Sequence, residues 1–200
     1  MFQVAPVLGD FLGRYPGVTL ELLLSDRVVH FVEERLDVAI RVARRLDGDG
    51  MLVARRIGTE RFVLCASPSY FERRGRPSTL EDLATHNCLR RRAAAPVWTF
   101  ESGSQRVRVP VSGNLIADDV VLLRQAVLEG IGIARMPYTL VAPDIAAGRL
   151  ATALDRYVQG EASIFAVLFG HTNQPAKVRA FVAFVTEHLR RVLDEQCVRP

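Results

Sequence analysis

Residues 20–45, LELLLSDRVVHFVEERLDVAIRVARR, constrain the fold of this chain more than any other stretch. LELLL is a short apolar run of the kind buried in a sheet. Ser25-Asp26 follows with two good helix N-cap residues. Val28, Val29, Phe31, Val32 and Leu36 recur at near-helical spacing, with Arg27, Glu33, Glu34 and Arg35 on the other side. Asp37 closes the turn, and VAIRV reads as a second buried strand. Connections this short predict a parallel strand–helix–strand unit with a right-handed crossover. In open α/β sheets a ligand sits outside the carboxyl ends of the strands. Here those ends are Ser25-Asp26, at a helix N-terminus, and residues 41–45, which carry guanidinium groups. Both suit an anion.

The same pattern returns in mid-chain. NLIA reads as a strand, Asp118-Asp119 as a helix cap, and Val120, Leu123, Val127 and Leu128 as the buried face of the helix. Gly130 ends that helix, residues 131–136 form the next strand, and Pro137 starts another helix. Between the two units, residues 52–57 and 62–66 read as strands around a Gly58-Thr59 turn. Pro68 opens a short helix, and Thr79 with Asp82 resembles a capping box for the next. Val107 and Val109 alternate with Arg106 and Arg108 as in an exposed antiparallel strand. Residues 150–154 and 164–169 are late strands. At the ends, Val4, Val7, Leu8, Phe11 and Leu12 form one helix stripe, and Val178, Phe181, Val182, Val185 and Leu189 form another after Pro175.

Taken together, these segments resemble the effector-binding domain of LysR-type transcriptional regulators. The residues that carry the resemblance are LELLLSDRVVHFVEERLDVAIRVARR, LVARRIGTERFVLCASPSYF, HNCL, NLIADDVVLLRQAVLEGIGIARMPYTLVAPDIAAGRL and PAKVRAFVAFVTEHL. They cover nearly the whole chain in order. The resemblance implies an α/β, two-lobed periplasmic-binding-protein-like fold of type II. Each lobe would be a Rossmann-like mixed sheet flanked by helices. Lobe I would comprise residues 1–65 and 168–200, and lobe II residues 66–167. In the family a strand and an effector-contacting loop precede the first helix, with a helix-turn-helix before them. The chain therefore reads as a truncated regulator whose first strand and DNA-binding domain are absent.

Composition excludes other classes. No apolar run approaches the roughly 20 residues a membrane span needs, and the N-terminus lacks the parts of a secretory signal. Cys65, Cys88 and Cys197 are few and scattered, which points to a reducing cytoplasm. The net charge of +4 comes almost wholly from arginine interleaved with acids, without the basic stripe of a DNA-binding face. The four histidines show no metal-ligand spacing, so neither metal nor cofactor is expected. His86-Asn87-Cys88 has the residue types of a thiol protease triad, but adjacent residues cannot converge. Gly130-Ile131-Gly132 is half of a dinucleotide fingerprint in the wrong context, before a strand instead of after one. Catalysis is not expected.

The reading is therefore a ligand-sensing domain, cytoplasmic and not membrane-bound, that forms a homodimer or tetramer. It would reach DNA only through a domain outside this chain. A solute-binding protein of a transport system is the alternative on the same fold. By resemblance, effector contacts fall at Ser25, Arg41, Arg90, Arg92, Asp118, Met136 and Pro137. Arg41 sits in an otherwise apolar strand and needs a partner. That partner is either an internal carboxylate, with Asp37 and Asp118 as candidates, or the effector. Two helix N-termini, guanidinium groups, and an apolar wall from Leu46 and Met136 favour a small organic acid, aromatic acids included.

Overall fold

The computed structural model describes residues 5–24, 31, 33–43, 51–102, 105–157, 161–170 and 174–197. In chain order the elements are α1 (Ala5–Arg14), β1 (Val38–Ala43), β2 (Leu52–Ala66), α2 (Pro68–Arg74), a 3-10 turn (Glu81–Thr85), β3 (Cys88–Arg91), β4 (Val97–Ser102), β5 (Gln105–Pro110), β6 (Ile116–Ala117), α3 (Val120–Leu128), β7 (Ile133–Pro137), α4 (Tyr138–Ala146), β8 (Ala151–Ala153), β9 (Glu161–Phe169) and α5 (Ala176–Cys197). They form two compact units, Met1–Glu60 with Glu161–Pro200, and Arg61–Gly160.

In the first unit the strands run in the order β1–β9–β2, with β1 antiparallel to β9. Val38 and Ile40 share a face with Ile164, Ala166 and Leu168, since paired residues point the same way. Helices α1 and α5 cover that face. Phe11 is fully buried against the edges of Phe181 and Phe184, with ring centroids 5.2 and 5.5 Å away. The α5 stripe of Val178, Phe181, Val182, Val185 and Leu189 is buried throughout, each side chain contributing about 1.5–3 kcal/mol. Leu12, expected in the α1 stripe, lies at its flank and is 38% exposed.

Two expectations fail in this unit. LELLL joins no ladder: residues 18–24 carry no strand pairing, and Leu22, Leu23 and Leu24 are each more than half exposed. Only Val18 and Leu20 pack on the core. An apolar run becomes a strand only where a partner offers its backbone groups, and the strand β1 pairs with β9 instead. The parallel unit predicted for residues 20–45 is thus not formed among the described residues. Its helix falls largely outside them, and residues 33–35 are turns. The second failure is the Gly58-Thr59 turn. Gly58 does not adopt the positive φ that a tight hairpin needs, and β2 runs straight through it with Ile57 and Glu60 buried.

The second unit is a five-stranded sheet in the order β8–β2–β7–β3–β6. β2 is antiparallel to β7 and β8, whereas β7, β3 and β6 are parallel. Alternation along β2 sends Leu64 and Ala66 into a core with Tyr70, Leu83 and Trp98. Val63 and Cys65 enter a second core with Leu123, Val127 and Val141. The β6–α3–β7 crossover is the predicted mid-chain unit, with β3 lying between its two strands. Gly130 ends α3 at φ 70°. Its N–H donates to the Val127 carbonyl and that of Ile131 to Ala126, the paired bonds of a Schellman cap. Gly132 passes so close to the Asn87 carbonyl that a Cβ would collide with it. The two glycines therefore serve the turn and the strand, not a dinucleotide. Asp82 reaches back to the Ser78 and Thr79 N–H groups at 2.8 and 2.9 Å, as the capping pattern predicts. Those bonds hold its pKa down at about 2. The hairpin β4–β5 turns Val109 inward and leaves Arg106 and Arg108 exposed.

Candidate effector site

Three parallel strands bring their carboxyl ends to one edge of the second unit, and that edge is the candidate site. β3 ends at Arg91, β6 at Ala117 and β7 at Pro137. β2 runs the other way, and its Phe62 pairs with Pro137, so Arg61 lies at the same edge. This is the end of an α/β sheet where ligands bind.

The arginines there differ in their freedom. Arg92 Nε meets Asp118 Oδ1 at 3.1 Å, with the side chains 71% and 62% exposed, a pair worth about 0–1 kcal/mol in water. Arg90 is tied back, its Nη1 donating to the Ala94 carbonyl at 3.1 Å. Arg61 lies with its guanidinium carbon 3.5 Å from the centroid of the Tyr138 ring. Neither Arg61 nor Tyr138 was marked by the sequence. The only hint was an arginine preceding an apolar strand and a tyrosine following Pro137.

The helix ends are also unequal. Asp119, not Asp118, caps α3, its Oδ1 accepting from the Val121 and Leu122 N–H groups at 2.6 and 2.9 Å. The positive end of α3 therefore already carries a carboxylate. α4 starts at Tyr138, and Pro137 before it provides no side-chain cap. Met136 does not line the edge: it is fully buried in the second core, because alternation along β7 turns it toward Leu123 and Val141. The apolar wall expected of it is core.

Arg41 belongs to the first unit. It pairs with Phe165 in the β1–β9 ladder, so its side chain lies on the face away from α1 and α5. It is partly buried and has no ion-pair partner among the described residues. Both carboxylates considered for it are engaged elsewhere: Asp37 with Lys177 at 3.6 Å and Asp118 with Arg92. Ser25 and Leu46 lie outside the described residues.

Behind the edge stands a charge cluster that sequence reasoning missed. Asp144 of α4 is fully buried. It takes Arg124 Nε and Nη2 at 2.6 and 2.8 Å and Arg149 Nε and Nη2 at 3.0 and 2.6 Å. Burial pushes its pKa up, but the bonds and charges of the two arginines outweigh burial and leave it lowered. The cluster ties α3, α4 and the approach to β8 together.

Burial raises the Cys65 and Cys88 thiols to about 12, so neither is a thiolate at neutral pH. His86 Nδ1 lies 3.1 Å from the Tyr70 hydroxyl, the Asn87 amide reaches Asn114 and Ile131, and Cys88 Sγ donates to the Leu83 carbonyl. The three side chains thus point to different partners and do not converge. Among the described residues no group of three His, Cys, Asp or Glu could hold a metal, and no helix is long and apolar enough to cross a membrane. An open cavity of about 580 Å³ lies at the other end of α3, lined by Ser67, Glu72, Gln125, Glu129 and Arg149. Its mixed charges select no ligand class.

The model of the LysR substrate binding domain matches residues 2–190. A helix-turn-helix-type transcriptional regulator of Xanthomonas campestris pv. campestris is 32% identical over 192 residues, which is 93% of this chain and 55% of that protein. PtxR of Pseudomonas aeruginosa, another regulator of this type, is 31% identical over 194 residues, 95% of this chain and 61% of its own length. The chain thus spans somewhat over half of these relatives. The regulatory domain of CrgA from Neisseria meningitidis superimposes with a TM-score of 0.83 at 31% identity, covering 93% of this chain and 91% of that one.

Proposed function

Because the chain belongs to the LysR substrate-binding domain family, we propose that it is the ligand-sensing part of a LysR-type regulator and that its effector is a small organic carboxylate. The observation that carries the ligand class is the edge just described. It gathers Arg91 and Arg92 at the end of a parallel strand and Arg61 from the antiparallel β2, beside a helix start that no side chain caps. A guanidinium grips a carboxylate through two parallel N–H···O bonds. Arg90, Arg92, Asp118 and Pro137 belong to the proposed contacts, with Asp118 as the internal counter-ion that an incoming acid displaces from Arg92. Ser25 and Arg41 are proposed as effector contacts on the family resemblance alone. The full regulator would be a cytoplasmic homodimer or tetramer that contacts DNA through a helix-turn-helix domain outside this chain.

Calorimetric titration with paired acids and amides tests the reading. Benzoate and succinate are expected to bind at least tenfold more tightly than benzamide and succinamide. Amides that bind as well as the acids would refute the carboxylate assignment.

A further inference from the structure

Within that effector reading, on which this inference rests, we infer that Arg61 braced on Tyr138 is the residue that selects an acid over its neutral counterpart. Arg61 enters from β2, and the pairing of Phe62 with Pro137 brings it level with the first residue of α4. Its side chain projects on the Val63 and Cys65 side of the strand, the side that α3 and α4 cover. The Tyr138 ring packs on that core and is partly buried, so the platform is fixed. At 3.5 Å the guanidinium lies against the ring. Stacking confines it to a plane and leaves the outer N–H groups at its rim. Among the described residues no carboxylate or hydrogen-bond acceptor engages those groups.

The other arginines of the edge lack this combination. Arg92 is exposed and already faces Asp118, and Arg90 has one guanidinium nitrogen held by a backbone carbonyl and no ring beneath it among the described residues. A cation–π contact alone favours any cation over the ring. What makes this one a recognition device is the pre-ordered fork: a planar group held in place loses little freedom when it takes a carboxylate bidentately. Strand spacing of about 4.8 Å puts β3 about 10 Å from β2. An acid of benzoate size held by Arg61 would therefore extend toward Arg92 and Asp118.

The test is titration of the parent, Arg61→Gln, Arg61→Lys and Tyr138→Phe with benzoate and with benzamide, each variant first checked for a native circular dichroism spectrum. In the parent, benzoate is expected to bind at least tenfold more tightly than benzamide. Arg61→Gln brings that ratio close to one, Arg61→Lys leaves it intermediate, and Tyr138→Phe, which keeps the ring, preserves it. A purely structural strut would shift the melting temperature and leave the ratio alone. Arg61→Gln retaining the parental ratio overturns the inference and leaves the effector reading standing. A parent that does not discriminate between acid and amide, or binds neither, overturns both.

Discussion

Replacing Asp144 with asparagine keeps the shape of a fully buried side chain and removes the charge that two arginines share. Arg124 is only 25% exposed, and it donates Nε and Nη2 to the two carboxylate oxygens, one of which is lost. One oxygen becomes an N–H donor facing guanidinium donors. Removing one partner of a buried pair costs about 3–5 kcal/mol. Arg149 is 57% exposed and can turn to water, so the lower part of that range or slightly less applies, about 2–3 kcal/mol. In a chain of this size that corresponds to a fall of about 5–10 °C in Tm. Arg149→Met, which leaves the Arg124 pair in place, should cost about 1 kcal/mol. The pH dependence fixes the sign. A carboxylate held below its unfolded pKa contributes stability above that pKa and loses it as pH falls through the folded one. The advantage of the parent over Asp144→Asn is therefore full at pH 7 and shrinks below about pH 4. Urea midpoints followed by circular dichroism measure this. A variant within about 0.5 kcal/mol of the parent at pH 7 would refute the reasoning, since it lies within the noise of surface substitutions.

Four further outcomes are expected. Tyr70→Phe removes the hydroxyl that accepts from the Asn87 N–H at 3.0 Å and meets His86, and a loss of stability of about 1–3 kcal/mol, read as a lower urea midpoint, should follow. Burial first and Arg74 second lower the His86 pKa. Its contribution to stability is therefore full above the unfolded value near 6.5 and falls as pH drops below it. His86→Asn should flatten the stability curve between pH 7 and 5, and an unchanged slope would exclude His86 as its source. Gly130→Ala forces a side chain into the left-handed region, with Ser67 Oγ 3.0 Å and Arg73 Nη2 3.1 Å from the new Cβ. A loss of at least about 1 kcal/mol is expected, and none at all would contradict the cap. Asp118→Asn should leave stability within about 1 kcal/mol of the parent and tighten benzoate binding by up to about fivefold. Weaker binding would place the acid elsewhere.

Helix stripes were the most legible part of the chain. Phe11 and the five residues of α5 repeat at 3.6-residue spacing, and periodicity decides which way such side chains face. Strand readings were less secure, because a strand is completed by its partner. LELLL is as apolar as any core strand and still stays unpaired, whereas Gly58-Thr59 looks like a turn and is crossed by one strand. Local chemistry identified the α3 cap only to within two adjacent acids; the backbone, not the sequence, assigns the role to Asp119 and leaves Asp118 to Arg92. The cluster around Asp144 and the stack of Arg61 on Tyr138 were illegible. Their members come from different elements, and nothing in the spacing of arginines along a chain says which one a distant ring or carboxylate will meet.

The most direct test is amide hydrogen exchange of the parent with and without a saturating carboxylate that calorimetry shows to bind. A ligand seated at the carboxyl edge of β3, β6 and β7 should slow exchange at Phe62, at Arg92, at Val121 and Leu122, and across Tyr138, Thr139 and Leu140. The matched amide should leave those positions unchanged. Slowing confined to residues around Ser67 and Glu129, or equal slowing by acid and amide, would contradict the account.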